Sequence, residues 1–167
     1  MSFRRVTTGH RDGKAVILTD EQVPSTTAGS FSFDPMWAVD APCVVPNDGS
    51  LPARPQFFPG PMGARVITWV IHPDGADLPA ATPEEFEAAA PGMGAHLEPD
   101  NPGMHTTQTV DVDIIMSGEI WMEVDDGAEV HLHAGDVVIQ NGTRHRWSNR
   151  STAATVVLSV MVGAERA

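Results

Sequence analysis

His105, Thr107, Thr109, Asp111 and Asp113 occupy every second position of GMHTTQTVDVDIIMSGE, residues 103 to 119. In an extended strand that spacing sets all five on one face, with Val110, Val112, Ile114 and Met116 on the other. An imidazole and two carboxylates on one face can hold a metal ion or move protons, and the same row can equally be a solvated strand face. Asp111 beside Asp113 adds a specific expectation. Two neighbouring carboxyls raise the pKa of one and leave a protonated acid. A second histidine, His145, lies in the turn-rich segment GDVVIQNGTRHRWSN.

Other side chains compete for a role. HLH at 131 to 133 has the spacing of a strand metal pair. Its apolar neighbours Val130 and Leu132 match Ile120, Met122 and Val124 across a hairpin, which turns His131 and His133 outward with Glu123 and Asp125. His72 and His96 fall in loops, and His96 precedes His105 by nine positions, at the mouth of any pocket there. Thr107, Gln108 and Thr109 read as strand formers and hydrogen-bonders. Trp121 and Trp147 can wall a pocket, although large aromatics usually pack. Arg144 beside His145 can grip a substrate carboxylate with two hydrogen bonds.

The elements that must position these residues are strands. Glycine (15) and proline (14) punctuate the chain, and sustained helical periodicity is absent. Asp12-Gly13 supplies a positive-φ turn for a hairpin in RRVTTGHRDGKAVILTD. Residues 24 to 62 hold isolated aromatics (Phe31, Phe33, Trp37, Phe57, Phe58) among Pro, Ser and Gly, and read as an irregular arm over a core, its own or a second subunit's. ARVITWVIHPDG is a buried strand. TPEEFEAAAPG is one short helix, with Thr82 as cap, Pro83 in the first turn and Pro91-Gly92 as stop. Strand signals then recur at 105–116, 119–124, 129–133, 136–140, 145–149 and 154–162. Such spacing predicts an all-β sandwich or barrel.

Bulk properties narrow the partners. The 167 residues suit one domain, with residues 1–98 carrying the hairpin, arm and first barrel strand, and 99–162 the core of the site. A net charge of −12, from 22 acidic and 10 basic residues, repels phosphate backbones and anionic membranes, so neither nucleic acid nor membrane is expected. Cys43 is the one cysteine, which excludes an intrachain disulfide. No run of 18 apolar residues exists and MSFRRVTTGH has no apolar centre, so a cytoplasmic location is expected.

Residues 99 to 162 resemble a cupin domain, in which two short motifs flank a hairpin. His105 matches the first histidine of the first motif and Gly118 its closing glycine. Asp111 stands at the glutamate position, and Thr107 where the second histidine belongs. Gly135-Asp136, Gly142, His145 and Asn149 match the second motif, with Gln140 in place of proline and one residue fewer after Gly135. The resemblance implies a double-stranded β-helix, a jelly-roll barrel, with an N-terminal strand and arm extension. It also implies a divalent metal (iron, manganese, nickel or zinc) on His105, Asp111 and His145, two histidines and one carboxylate with positions open for substrate.

Two functional readings follow. In the first the protein is a small-molecule enzyme acting on a carbonyl or carboxylate substrate, by lyase, dehydratase or isomerase chemistry or by oxygenation. Without metal, His105 or His145 would be a general base oriented by Asp111. In the second it is a non-catalytic ligand-binding cupin that has lost its metal. Either way a homodimer is expected, because the apolar face of Val110, Val112, Ile114 and Met116 needs a cover from outside the barrel.

Overall fold

The computed structural model of the chain describes residues 3–47 and 49–165. β1 (Arg4–Arg11) and β2 (Lys14–Gln22) form a separate two-stranded antiparallel sheet. Asp12 and Gly13 turn it with φ of 51° and 74°, as a tight hairpin requires.

The body of the protein is two sheets facing each other. The larger combines β3 (Thr26–Ala28), β4 (Phe31–Val39), β5 (Ala64–Ile71), β6 (Thr109–Ser117), β9 (Val137–Asn141) and β11 (Thr155–Gly163) in the antiparallel order β3-β4-β5-β11-β6-β9. The smaller combines β7 (Glu119–Glu123), β8 (Glu129–His133) and β10 (Arg146–Ser148) in the order β10-β7-β8. This is an all-β jelly-roll architecture of the cupin type. Ile67, Ile71, Ile115 and Val157 from the first sheet meet Ile120 and Leu132 from the second, and all six are buried.

The arm differs from expectation in its first half. Residues 26–28 and 31–39 are strands of the large sheet, because Phe31 and Phe33 alternate inward beside Trp69 and Ile71 on β5. Phe57 and Phe58 pack against the same core from a segment without regular structure. These aromatics therefore cover the chain's own core. Phe31 and Phe33 keep a period of two, but the prolines, serines and glycines around them read as loop and mask it.

Among the described residues the single α-helix, α1 (Pro83–Ala89), has the cap its sequence predicts. Thr82 Oγ1 accepts from Glu85 N at 3.2 Å, and Glu85 Oε2 accepts from Thr82 N at 2.8 Å. Gly118 turns β6 into β7 at φ 79°. A Cβ there would lie 2.7 Å from Thr155 Oγ1 and 3.0 Å from Ala154 O, so close approach as well as positive φ calls for glycine.

β6 carries the polar row inward. Thr109, Asp111, Asp113 and Ile115 are buried, whereas Val110 and Met116 on the reverse face are exposed. The apolar face thus looks outward, next to exposed Val137 and Ile139 on β9 and Val162 on β11.

Candidate functional site

His105 and His145 lie outside the named strands but bridge to one another. His105 N donates to His145 O and His145 N to His105 O, each at 2.9 Å. Their ring centroids are 4.3 Å apart, and both side chains are almost fully buried. His105 Nδ1 lies 3.0 Å from Gly103 O. A carbonyl can only accept, so Nδ1 carries the proton and Nε2 keeps its lone pair. His145 Nδ1 sits 3.0 Å from both Thr143 O and Gln140 Nε2. Gln140 is held by its Oε1, which accepts from the backbone N–H groups of Gly142 and Thr143. The residue replacing the motif proline therefore touches the second histidine directly.

Both imidazoles are held neutral. Burial lowers the pKa of His105, against a hydrogen bond to Gly103 O. Burial, then the nearby His105, lowers His145 to about 4. The carboxyls move the other way. Burial raises Asp111 to about 7, opposed by a hydrogen bond with Thr109 and helped by the Asp113 charge. Burial raises Asp113 to about 6, opposed by the Ser159 hydroxyl. Asp113 is fixed in a chain in which Trp69 Nε1 donates to Ser159 Oγ at 2.8 Å and Ser159 Oγ donates to Asp113 Oδ1. Asp111 is not fixed in this way. Its Oδ1 is buried without any hydrogen-bond partner, an arrangement that costs free energy unless something else occupies the site.

These groups form the polar end of a cavity of about 240 Å³. Phe31, Phe33, Phe57, Phe58, Trp69 and Trp147 wall it, with His105, His145, Asp111, Asp113 and Ser159 at its polar end. Phe57 meets Phe33 and Phe58 edge-on at 5.0 Å, Phe58 stacks over His105 at 6.1 Å, and Trp69 meets Trp147 edge-on at 5.7 Å. The histidines and the two aspartates are thus brought together with Trp147.

The remaining candidates stand elsewhere. Thr107 and Thr109 are buried and do not line the cavity; their hydroxyls are bonded to each other at 2.8 Å, and Thr109 supports Asp111 from outside it. His96 is exposed, its Nδ1 3.2 Å from Thr106 O and its ring edge-on to Phe58. Arg144 turns away from the cavity to Glu98, at 2.6 and 2.7 Å, and to Asp125, at 2.8 Å. Two carboxylates already use the fork that would have gripped a substrate. Trp121 stacks on His131 at 3.9 Å, on a different surface from the cavity. Ser159, Trp69 and the phenylalanines belong to neither motif, and nothing in the sequence marks them as site residues. Ser159 faces Asp113 in register on the neighbouring strand, a pairing that strand order alone reveals.

The donor set of two imidazoles and a carboxylate suits a metal chemically, and the orphaned Asp111 oxygen points the same way. The arrangement does not fit one, however. Among the described residues, the histidine, cysteine, aspartate and glutamate side chains that bring three ligand atoms within 4.8 Å of one another are Glu119, His131 and His133. His105, Asp111 and His145 do not converge so closely. The Glu119 cluster lies on the outer face of the β7-β8 hairpin, where His131 Nε2 is 2.8 Å from Glu119 Oε2 and His133 Nε2 is 3.7 Å from it. His131 and His133 face outward as expected, and Glu119 is the partner that sequence reasoning missed. It faces His133 across the hairpin.

Comparisons with known proteins agree with the motifs. Residues 95–161 match the family model described as Cupin domain. A phomopsin biosynthesis cluster protein C' of Diaporthe leptostromiformis is 37% identical over 82 residues, 49% of this chain and 40% of its own length. An oryzines biosynthesis cluster protein J of Aspergillus oryzae is 42% identical over 50 residues, 30% of this chain and 28% of its own. The chain thus spans less than half the length of these curated relatives. A solved cupin 2 conserved barrel domain protein from Salinispora arenicola is 22% identical, with a TM-score of 0.38 over 60% of this chain and 64% of that one. With the histidines of two partly matched motifs side by side at one end of a jelly roll, residues 95–161 form a cupin domain.

Proposed function

We propose that the protein is a small-molecule enzyme of the lyase or isomerase type, working by proton transfer in the aromatic cavity. The observation that supports this best is the buried, unpartnered Asp111 Oδ1 at the same cavity end as the two neutral histidines. Acid and base are distinguishable there. His105 Nε2 offers a lone pair and takes a proton from substrate. Asp111, half protonated near neutral pH, gives one to the leaving or carbonyl oxygen. His145 and the Ser159–Asp113 pair flank the reacting atoms. Phe57, Phe58 and the tryptophans exclude water, which strengthens each of these interactions. His105, Asp111 and His145 do not bring their ligand atoms together, so the proton transfers fall to these side chains themselves.

Similarity over part of the chain to biosynthesis cluster proteins supports a role with small organic molecules. The second reading, a ligand-binding cupin without catalysis, is favoured by Thr107 standing where a ligand histidine would be. The test is solvent exchange. Carbonyl compounds are incubated with the protein in D2O and followed by NMR. Deuterium incorporation by wild type that His105→Gln abolishes is expected. A panel with no exchange above buffer leaves the ligand-binding reading standing instead.

The protein is further proposed to act as a homodimer. Val110, Met116, Val137, Ile139 and Val162 make an exposed apolar sheet face that a second copy of the chain would cover.

A further inference from the structure

The geometry points to a neutral ligand with one aromatic ring and a hydroxyl group, seated with the ring among Phe33, Phe57, Phe58 and Trp69 and the hydroxyl against Asp111 Oδ1. This deepens the proposed function, on which it rests for the identity of the site.

Three features of the cavity carry it. The first is size. A cavity of about 240 Å³ exceeds the roughly 150 Å³ that accommodates benzene in an engineered core. One ring with a short substituent fits. The second is the wall. Phe33, Phe57 and Phe58 stand in successive edge-on contacts of 5.0 Å, which leave ring faces and edges for a flat guest.

The third feature is the polar end, which sorts the substituent by charge. It contains two carboxyls and two imidazoles, and among the described residues no lysine or arginine lines the cavity. Arg144, next to His145 in sequence, is occupied by Glu98 and Asp125. A carboxylate or phosphate would therefore enter a dry site beside Asp111 and Asp113 with no counter-charge, which is unfavourable. A bare hydrocarbon would leave the Asp111 oxygen as unpartnered as it is now. A hydroxyl meets both conditions. It donates to the carboxylate, or accepts from the carboxylic acid, and so suits Asp111 in either protonation state. Ser159 and Trp69 cannot substitute for the guest, since they are committed to the chain that ends on Asp113.

The test uses three probes with similar bodies: 2-phenylethanol, ethylbenzene and phenylacetate. Binding to the purified full chain is followed by calorimetry, with quenching of tryptophan fluorescence as a second signal. The alcohol is expected to bind several-fold tighter than ethylbenzene and at least about tenfold tighter than phenylacetate. Asp111→Ala is expected to erase the preference for the alcohol over ethylbenzene. The wild-type series decides the matter even if that variant does not fold. Phenylacetate binding as tightly as the alcohol, ethylbenzene binding as tightly as the alcohol, or no saturable binding by any probe up to millimolar concentration would each overturn the inference. The readout involves no turnover. A protein that binds the alcohol but exchanges no substrate proton loses the catalytic reading and keeps this one.

Discussion

His105 and His145, forty positions apart in sequence, exchange two backbone hydrogen bonds of 2.9 Å and hold their ring centroids 4.3 Å apart. Each ring is therefore part of the other's environment. Removing His105 takes away one of the two causes that hold His145 near 4, while burial, the larger cause, remains. In His105→Ala the His145 titration, followed by NMR of the ring nitrogens, is expected to move upward yet stay below 6.5. An unchanged or lower value would mean that the pair does not interact.

Asp111 gives the protein a pH signature. Its folded pKa of about 7 lies above the ordinary 3.8. The folded state thus binds more protons than the unfolded state between these values, and the contribution of Asp111 is full at low pH and lost as pH rises through 7. His145, depressed to about 4, works in the opposite sense, its contribution present above 6.5 and lost as pH falls towards 4. Comparison with Asp111→Asn separates the two. Relative to wild type, the variant is expected to be more stable at pH 8 than at pH 5 by on the order of 2 kcal/mol in urea unfolding. The same offset at both values would refute the raised carboxyl.

Metal binding distinguishes two places on the molecule. Titration with Zn2+ is expected to load the Glu119, His131 and His133 cluster, whose ligand atoms already lie within 4.8 Å of one another. Double substitution of His131 and His133 by Ala should abolish the binding seen by calorimetry, and His105→Ala should leave it intact. The reverse pattern would show that a metal draws His105, Asp111 and His145 together.

The outward face of β6, β9 and β11 predicts assembly. Wild type should sediment as a dimer at micromolar concentration, and Ile139→Lys, at a position 55% exposed, should shift it to monomer without loss of fold. A wild-type monomer at that concentration would contradict the dimer.

Local chemistry was legible in the sequence wherever one short stretch decided the outcome. Asp12-Gly13 made its hairpin, Thr82 and Glu85 capped their helix, and alternation put Asp111 and Asp113 on one face of β6. The motif spacing placed His105 and His145 in one site. What the sequence could not decide is which groups meet across elements. Five phenylalanines from the arm and α1 line the cavity, and Phe31 and Phe33 do so because β4 joins the large sheet beside β5. Arg144 leaves the site because Glu98, forty-six positions away, folds against it. Glu119 joins His131 and His133 through hairpin register. Alternation states which face a side chain takes, but only strand order and packing determine what that face meets. A buried carboxylate such as Asp111 acquires its pKa from that meeting, through loss of water, and not from its neighbours in sequence.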